Sequence, residues 1–192
     1  WDYYVYDFVN FLFLQSDHTM KHDEFTATVK LQYLREDGIG EKYVGDIDAS
    51  MWGAMLLMDK NLFSASISYN QSYGEFFNAW GFDHAFTSSL FSRNAYRDDV
   101  KSYKVTIKYK FNKHLVLSWA YADYGQSKSY GGNPSRTLYP TRDATEMDTV
   151  LNYKVNKELN FKFYNVLRTS EYESTTSDRK QNQWRLIATY RF

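Results

Sequence analysis

The sequence of 192 residues contains no cysteine and only two prolines, and its 23 basic residues balance its 23 acidic ones. No run approaches the roughly 18 to 20 apolar residues that a membrane helix needs, which excludes a helical membrane protein. A zero net charge argues against a nucleic-acid partner, because such proteins normally carry a basic excess. Without cysteine there is no thiol nucleophile, and the absence is compatible with the bacterial cell envelope, where stray thiols risk oxidation.

Aromatic residues are abundant by contrast. The chain holds 18 Tyr, 14 Phe and 5 Trp, although its mean hydropathy is −0.62. These residue types favour β-strands and membrane–water interfaces. Scarce proline suits long strands with continuous hydrogen bonding. The composition therefore favours a strand-rich protein that meets an interface.

Apolar and polar residues alternate with a period of two, which indicates strands with one apolar face. In one example, Phe25, Ala27, Val29, Leu31 and Tyr33 share a face opposite Glu24, Thr26, Thr28, Lys30 and Gln32. The alternation predicts nine strands, near 2–16, 23–35, 46–57, 63–70, 102–111, 115–122, 146–154, 159–168 and 183–192. The first is apolar on both faces, so its orientation stays open. In the third, we place Ile47, Ala49, Met51, Met55 and Leu57 on the apolar face and Asp46 and Asp48 on the other.

The connections between these strands alternate in length. Short ones lie near 18–21, 59–61, 112–114 and 156–158, and long ones near 36–45, 71–99, 125–144 and 171–182. This alternation is typical of transmembrane barrels, whose periplasmic turns are tight and whose extracellular loops are long. The sequence therefore predicts an all-β fold, a transmembrane antiparallel up-and-down β-barrel. The alternative is a soluble β-sandwich or a lipocalin-like barrel.

The chain ends in Phe192, preceded at alternate positions by Tyr190, Ala188, Leu186 and Trp184. This ending resembles the signal by which bacterial outer-membrane proteins engage the barrel-assembly machinery. It predicts a last strand with a lipid-facing side that closes a barrel.

Five short stretches, 1–4 (WDYY), 31–34 (LQYL), 78–81 (NAWG), 86–89 (FTSS) and 121–125 (YADYG), resemble the OprD-type porins. These are substrate-specific outer-membrane channels of Gram-negative bacteria. The resemblance runs over residues 1–192 but matches only the C-terminal half of such a porin. It implies an 18-stranded barrel, often a homotrimer, embedded in lipid and lipopolysaccharide. It also implies passage of small carboxylates, amino acids or peptides, without a cofactor. Strand parity agrees, because nine strands that end in the periplasm begin outside and so imply an odd number upstream.

A porin needs a water-filled lumen and a charge pattern rather than catalytic groups. The predicted inward basic residues are Lys30, Lys104, Lys108, Lys162, Arg168 and Arg185. The predicted inward acidic residues, nearer the outer rim, are Asp46, Asp48, Glu146 and Asp148. The basic set predicts a ladder that passes a carboxylate between weak sites, and the acidic set predicts contacts with an ammonium group. Alternatively, all these charges hydrate the lumen and pair with one another.

The connection 71–99 is too long for a simple loop. Its aromatic residues predict that it folds inward or against neighbours. Its candidate pore residues are Trp80, His84, Arg93, Arg97 and Asp98. It either narrows the pore, or forms a packed extracellular cap or a subunit contact.

Two sets of aromatic residues are expected at the membrane interfaces. The outer set is Tyr33, Tyr69, Tyr103 and Tyr121, and the inner set is Phe63, Phe111, Tyr153 and Tyr190. We find no catalytic motif and no convincing metal site, so we expect no enzyme. The alternative function is a small non-transporting barrel that acts as an adhesin or anchor through its loops.

Overall fold

The computed structural model describes residues 2–5, 9–40, 46–74, 76, 85–92, 94–128, 141–172 and 178–192. Within these ranges the chain forms ten strands: β1 (Asp2–Val5), β2 (Val9–His22), β3 (Phe25–Gly38), β4 (Asp48–Lys60), β5 (Phe63–Tyr73), β6 (Lys101–Lys110), β7 (Leu115–Tyr124), β8 (Thr141–Lys154), β9 (Leu159–Tyr172) and β10 (Arg179–Tyr190). They form one sheet in which chain neighbours pair antiparallel, in the order β1 to β10.

This meander confirms the predicted all-β, up-and-down class. The strands β2 to β10 are 10 to 14 residues long and correspond to the nine predicted strands. The predicted first segment, 2–16, comprises the short β1 and the first half of β2, which pair with each other. The expectation of an odd number of upstream strands depends on a count of nine strands in this chain. The described ranges hold ten strands, so strand parity no longer supports that expectation.

Tight turns join the strands at one end of the sheet. Asp23 and Asn61 adopt positive φ angles of 48° and 52° in the turns after β2 and β4. The side chains of Asn112 and Asn156 close the two other turns, where each Oδ1 accepts two backbone N–H groups at 2.7 to 3.0 Å. Asn and Asp favour such turns because they tolerate left-handed backbone and bond to nearby amides. The longer connections all lie at the opposite end, as the sequence predicts.

Large apolar side chains are exposed on one face, which we call the outer face. Leu31 and Ile67 are 55% and 54% exposed there, between aromatic residues at both ends of the sheet. At the end with long connections, the Tyr69 ring lies 5.1 Å from Trp52 and 4.9 Å from Tyr103. At the end with tight turns, the rings of Tyr109 and Phe111 lie 4.9 Å apart. The predicted aromatic positions thus occupy the two ends of the outer face.

The opposite face, the inner face, is covered near the long connections by the described parts of residues 76–100. Phe76, Tyr96 and Val100 are fully or almost fully buried there. They form a cluster with inner-face residues that include Phe13 and Leu34. The segment therefore packs against the inner face. Its single turn of 3-10 helix, Asn94–Tyr96, is short, and among the described residues no helix is long and apolar enough to cross a membrane.

The predicted orientation of β4 is wrong. Ala49 and Met51 are completely buried on the inner face, whereas Trp52 is 43% exposed on the outer face beside Tyr33. Both faces of β4 are apolar because its inner face packs in the cluster under residues 76–100. Alternation alone therefore does not distinguish them. As a consequence, Asp48 lies on the outer face, where Arg35 Nη2 is 2.8 Å from its Oδ1. Asp46 lies before β4 and is exposed.

Ile67→Arg is expected to destabilise the membrane-inserted protein by about 2–4 kcal/mol, because it places a cation on the lipid-facing surface between the two aromatic ends. Ser66→Arg is the matched control, since Ser66 is the adjacent residue and lies on the inner face. Refolding of both full-length variants into lipid vesicles over a urea series measures the difference. Equal losses would contradict the assignment of the two faces.

Candidate functional site

One row of directly paired residues crosses the inner face from β2 to β10. Following the register gives Asp17, Lys30, Met55, Ser68, Lys104, Ala122, Glu146, Arg168 and Gln181. Neighbouring strands lie about 4.8 Å apart, so the row forms a band across the inner face of the sheet, which we call the wall. Four residues predicted separately from the sequence, Lys30, Lys104, Glu146 and Arg168, therefore belong to one row.

Charges of opposite sign are adjacent in this row. Lys30 Nζ lies 2.5 Å from Asp17 Oδ2, and Arg168 Nε lies 3.8 Å from Glu146 Oε2. The basic ladder is therefore partly neutralised, as the alternative interpretation of the sequence expects. Asp17 is not among the predicted lumenal residues, because the sequence leaves the orientation of its strand, β2, open. Its position is clear only when Lys30 is known to be its cross-strand partner.

Two further rows lie nearer the tight turns. The next contains Thr106, Ala120 and Asp148, and the one after it contains Lys108, Ser118, Val150, Tyr164 and Arg185. Lys162 Nζ lies 5.6 Å from the centre of the Tyr164 ring. All six predicted basic residues and both acidic residues of β8 thus share the inner face. Of the ten predicted charges, only Asp46 and Asp48 do not belong to this arrangement.

Residues 87–91 cross in front of this wall, and inner-face side chains bind their backbone. Asn70 Oδ1 accepts the Thr87 N–H at 3.0 Å, and Tyr124 Oη donates to the Thr87 carbonyl at 2.7 Å. Lys104 Nζ donates to the carbonyl of Ser88. Strands β5, β6 and β7 each contribute one anchor to this segment.

Strand β8 contributes the two carboxylates. Asp148 Oδ2 accepts the Leu90 N–H at 3.1 Å, and Glu146 Oε1 accepts the Phe91 N–H at 2.8 Å. Both acids are at least 95% buried. The centres of the Phe91 and Tyr164 rings lie 5.9 Å apart, and the Arg185 guanidinium lies 5.0 Å from the centre of the Phe91 ring. The two carboxyl groups of β8 therefore each satisfy one backbone N–H of the segment.

A cavity of about 280 Å³ lies on the tight-turn side of this segment. The segment contributes Ser88, Ser89 and Leu90 to its lining. The wall contributes Lys104, Thr106, Ser118, Trp119, Ala120, Asp148 and Val150. The lining combines charged and hydroxyl side chains with apolar surface.

The predicted loop residues have different outcomes. Trp80, His84 and Arg93 lie outside the described residues. Arg97 is 1% exposed, with its guanidinium 5.9 Å from the Tyr172 ring, and Ser72 Oγ donates to its carbonyl at 2.5 Å. The carbonyl of Asp98 accepts the N–H of Lys128 at 3.1 Å. Arg97 is therefore buried against the ends of β5 and β9.

An ion pair joins Asp99, just before β6, to Lys128 in the connection after β7. The Lys128 ammonium contacts the Asp99 carboxylate, and this hydrogen bond and charge raise the pKa of Lys128 above its ordinary value. No group of three His, Asp or Glu residues within the described ranges is arranged to hold a metal ion.

No family model and no curated protein sequence matches the chain. Solved structures do match, and each alignment covers 96% of this chain. OccAB4 from Acinetobacter baumannii gives a TM-score of 0.75 at 20% identity. The outer membrane protein OprD from Pseudomonas aeruginosa gives 0.80 at 16%, and OccK1 (OpdK) from the same organism gives 0.79 at 15%.

The fold is therefore that of the OprD and Occ outer-membrane proteins, which confirms at the level of the fold the resemblance inferred from short motifs. The chain spans about half the length of these relatives, 46%, 52% and 49% of the three chains. At these identities the similarity establishes the fold alone.

Gly53→Ala is expected to release residues 87–91 from the wall. A Cβ at Gly53 would lie 2.1 Å from Asn70 Nδ2, so Asn70, which binds Thr87, must move. Such overpacking costs about 1–3 kcal/mol. The urea dependence of refolding into lipid vesicles measures this loss. Ala54→Leu, which adds volume on the outer face, is the control and should leave stability within about 0.5 kcal/mol. An equally small effect of Gly53→Ala would contradict this role of Asn70.

Proposed function

We propose that this chain is part of an outer-membrane porin through which small hydrophilic solutes diffuse passively. Its surroundings are lipid and lipopolysaccharide, and it performs no catalysis. The observation that carries the proposal is the inner face itself. Rows that include charged and hydroxyl side chains run across nine strands, and the opposite, outer face exposes large apolar side chains such as Leu31 and Ile67. This division suits a wet pore in a bilayer.

The basic residues bias passage towards solutes that bear a carboxylate. Lys108, Lys162 and Arg185 lie on the inner face beyond the crossing segment, and the two acids of β8 point their oxygens at backbone amides of that segment. Weak, successive attraction by such cations favours entry of an anion without trapping it. The solute class is small carboxylates, amino acids or short peptides.

The segment 87–91 supports a constriction rather than an external cap, because side chains from β5 to β8 hold it across the inner face. We further propose that the porin engages the barrel-assembly machinery through the strand that ends in Phe192, and that it forms a homotrimer. An adhesin or anchor would have no use for the cavity between segment and wall.

Lys108→Glu combined with Lys162→Glu is expected to shift selectivity towards cations, because two inner-face cations become anions. The measurement is the reversal potential of the full-length protein in planar bilayers under a KCl gradient, and the expected change in the anion-to-cation permeability ratio is several-fold. Lys101→Glu, the same type of substitution at one lysine of the outer face, is the control and should leave the ratio unchanged. Conductance with an unaltered ratio would reject the basic bias, and absence of any channel in the unmodified protein would reject the porin.

Replacement of residues 77–92 by a short Gly-Ser linker is expected to raise single-channel conductance, because it removes the segment that crosses the wall and retains Phe76 in the buried cluster. Heat-modifiable mobility on gels establishes that the variant has folded. A folded variant with wild-type conductance would contradict the constriction and favour the cap or a subunit contact.

A further inference from the structure

Leu90 differs from the other residues of the crossing segment. Its side chain is 41% exposed and borders the cavity that also contains Lys104 and Asp148. Thr87 is completely buried, and Ser89 Oγ lies 3.0 Å from Tyr124 Oη. Phe91 packs against Tyr164 and Arg185. Leu90 thus presents an apolar side chain to open space in a polar wall.

The position of Leu90 is fixed without using its side chain. The Asp148 side chain accepts the backbone N–H of Leu90, and the Glu146 side chain accepts the backbone N–H of Phe91. Lys104 donates to the carbonyl of Ser88, and Tyr124 donates to the carbonyl of Thr87. Any residue other than proline at position 90 offers the same N–H to Asp148. The arrangement therefore fixes a point in space and leaves the chemistry at that point to the side chain.

We propose that Leu90 is a specificity-determining residue of the pore, and that Glu146 and Asp148 are positioning residues that hold it there rather than contacts for the solute. This inference rests on the proposed function. An exposed alkyl group at a narrow wet passage hinders strongly hydrated ions, because it replaces part of their water without offering a ligand. It favours charged solutes that also carry an apolar part.

The absence of cysteine makes position 90 directly testable. Leu90→Cys gives this chain a single thiol, which reacts with methanethiosulfonate reagents that carry either a sulfonate or a trimethylammonium group. In planar bilayers under a KCl gradient, the anionic label should lower the anion-to-cation permeability ratio at least twofold and the cationic label should raise it. Ile67→Cys, on the outer face, is the control, and the two labels should give equal ratios there.

The positioning role is tested in the same background. Glu146→Gln with Asp148→Asn keeps the shape of both side chains but replaces each carboxyl group that accepts the N–H of residue 90 or 91 by an amide. The difference between the two labels on the thiol at position 90 should fall at least twofold. Because the difference is compared, the direct effect of the lost lumenal charges cancels. Asp123→Asn removes a carboxylate from the outer face of β7 and should leave the difference intact.

The outcomes separate the inference from the proposed function. No conductance in the unmodified protein overturns the porin itself. Conductance with no label effect, or with no labelling by mass spectrometry, overturns the role of Leu90 alone. A label difference that persists in the Glu146→Gln, Asp148→Asn variant overturns the positioning role of the acids and retains that of Leu90.

Discussion

Every part of this structure depends on the need to pair backbone N–H and C=O groups where water is not available. In a bilayer an unpaired group costs several kcal/mol, so strands cross only when each is bonded to neighbours on both sides. Among the described residues, β2 to β9 each pair with a neighbouring strand on both sides, and β1 and β10 form the two edges of the sheet. Both prolines, Pro134 and Pro140, fall in the sequence between β7 and β8.

The same requirement explains the crossing segment. Residues 87–91 leave the wall and have no neighbouring strand, so side chains of β5 to β8 take over the role of a strand. Asn70, Tyr124, Lys104, Asp148 and Glu146 each satisfy one backbone group. The site is thus built on rigid strands although its exposed residue belongs to a loop. This combination fixes position while the side chain at residue 90 stays exchangeable.

The sequence predicts features that follow from the alternation within a single strand. It does not predict features that depend on how two strands pair or on what packs against them. The alternation of Lys104, Thr106 and Lys108 places them on one face without any partner. It does not orient β4, because Met51 packs beneath a distant segment and so the inner face of β4 is as apolar as its outer face. Nor does it place Asp17 beside Lys30, since that pairing needs the register. The anchoring role of Glu146 and Asp148 depends on residues more than 50 positions away, which local patterning does not contain.

The segregation of charge on the inner face follows from the way the segment is anchored. Exposed backbone amides require acceptors, and carboxylates are the strongest acceptors available, so the acids of β8 lie where the segment crosses. Their oxygens are turned towards amides and are largely hidden from the open cavity. The cations Lys108, Lys162 and Arg185 lie beyond the segment, towards the tight turns. A chain with no net charge therefore presents cations on its inner face beyond residues 87–91, because the two acids of β8 bind backbone amides of that segment.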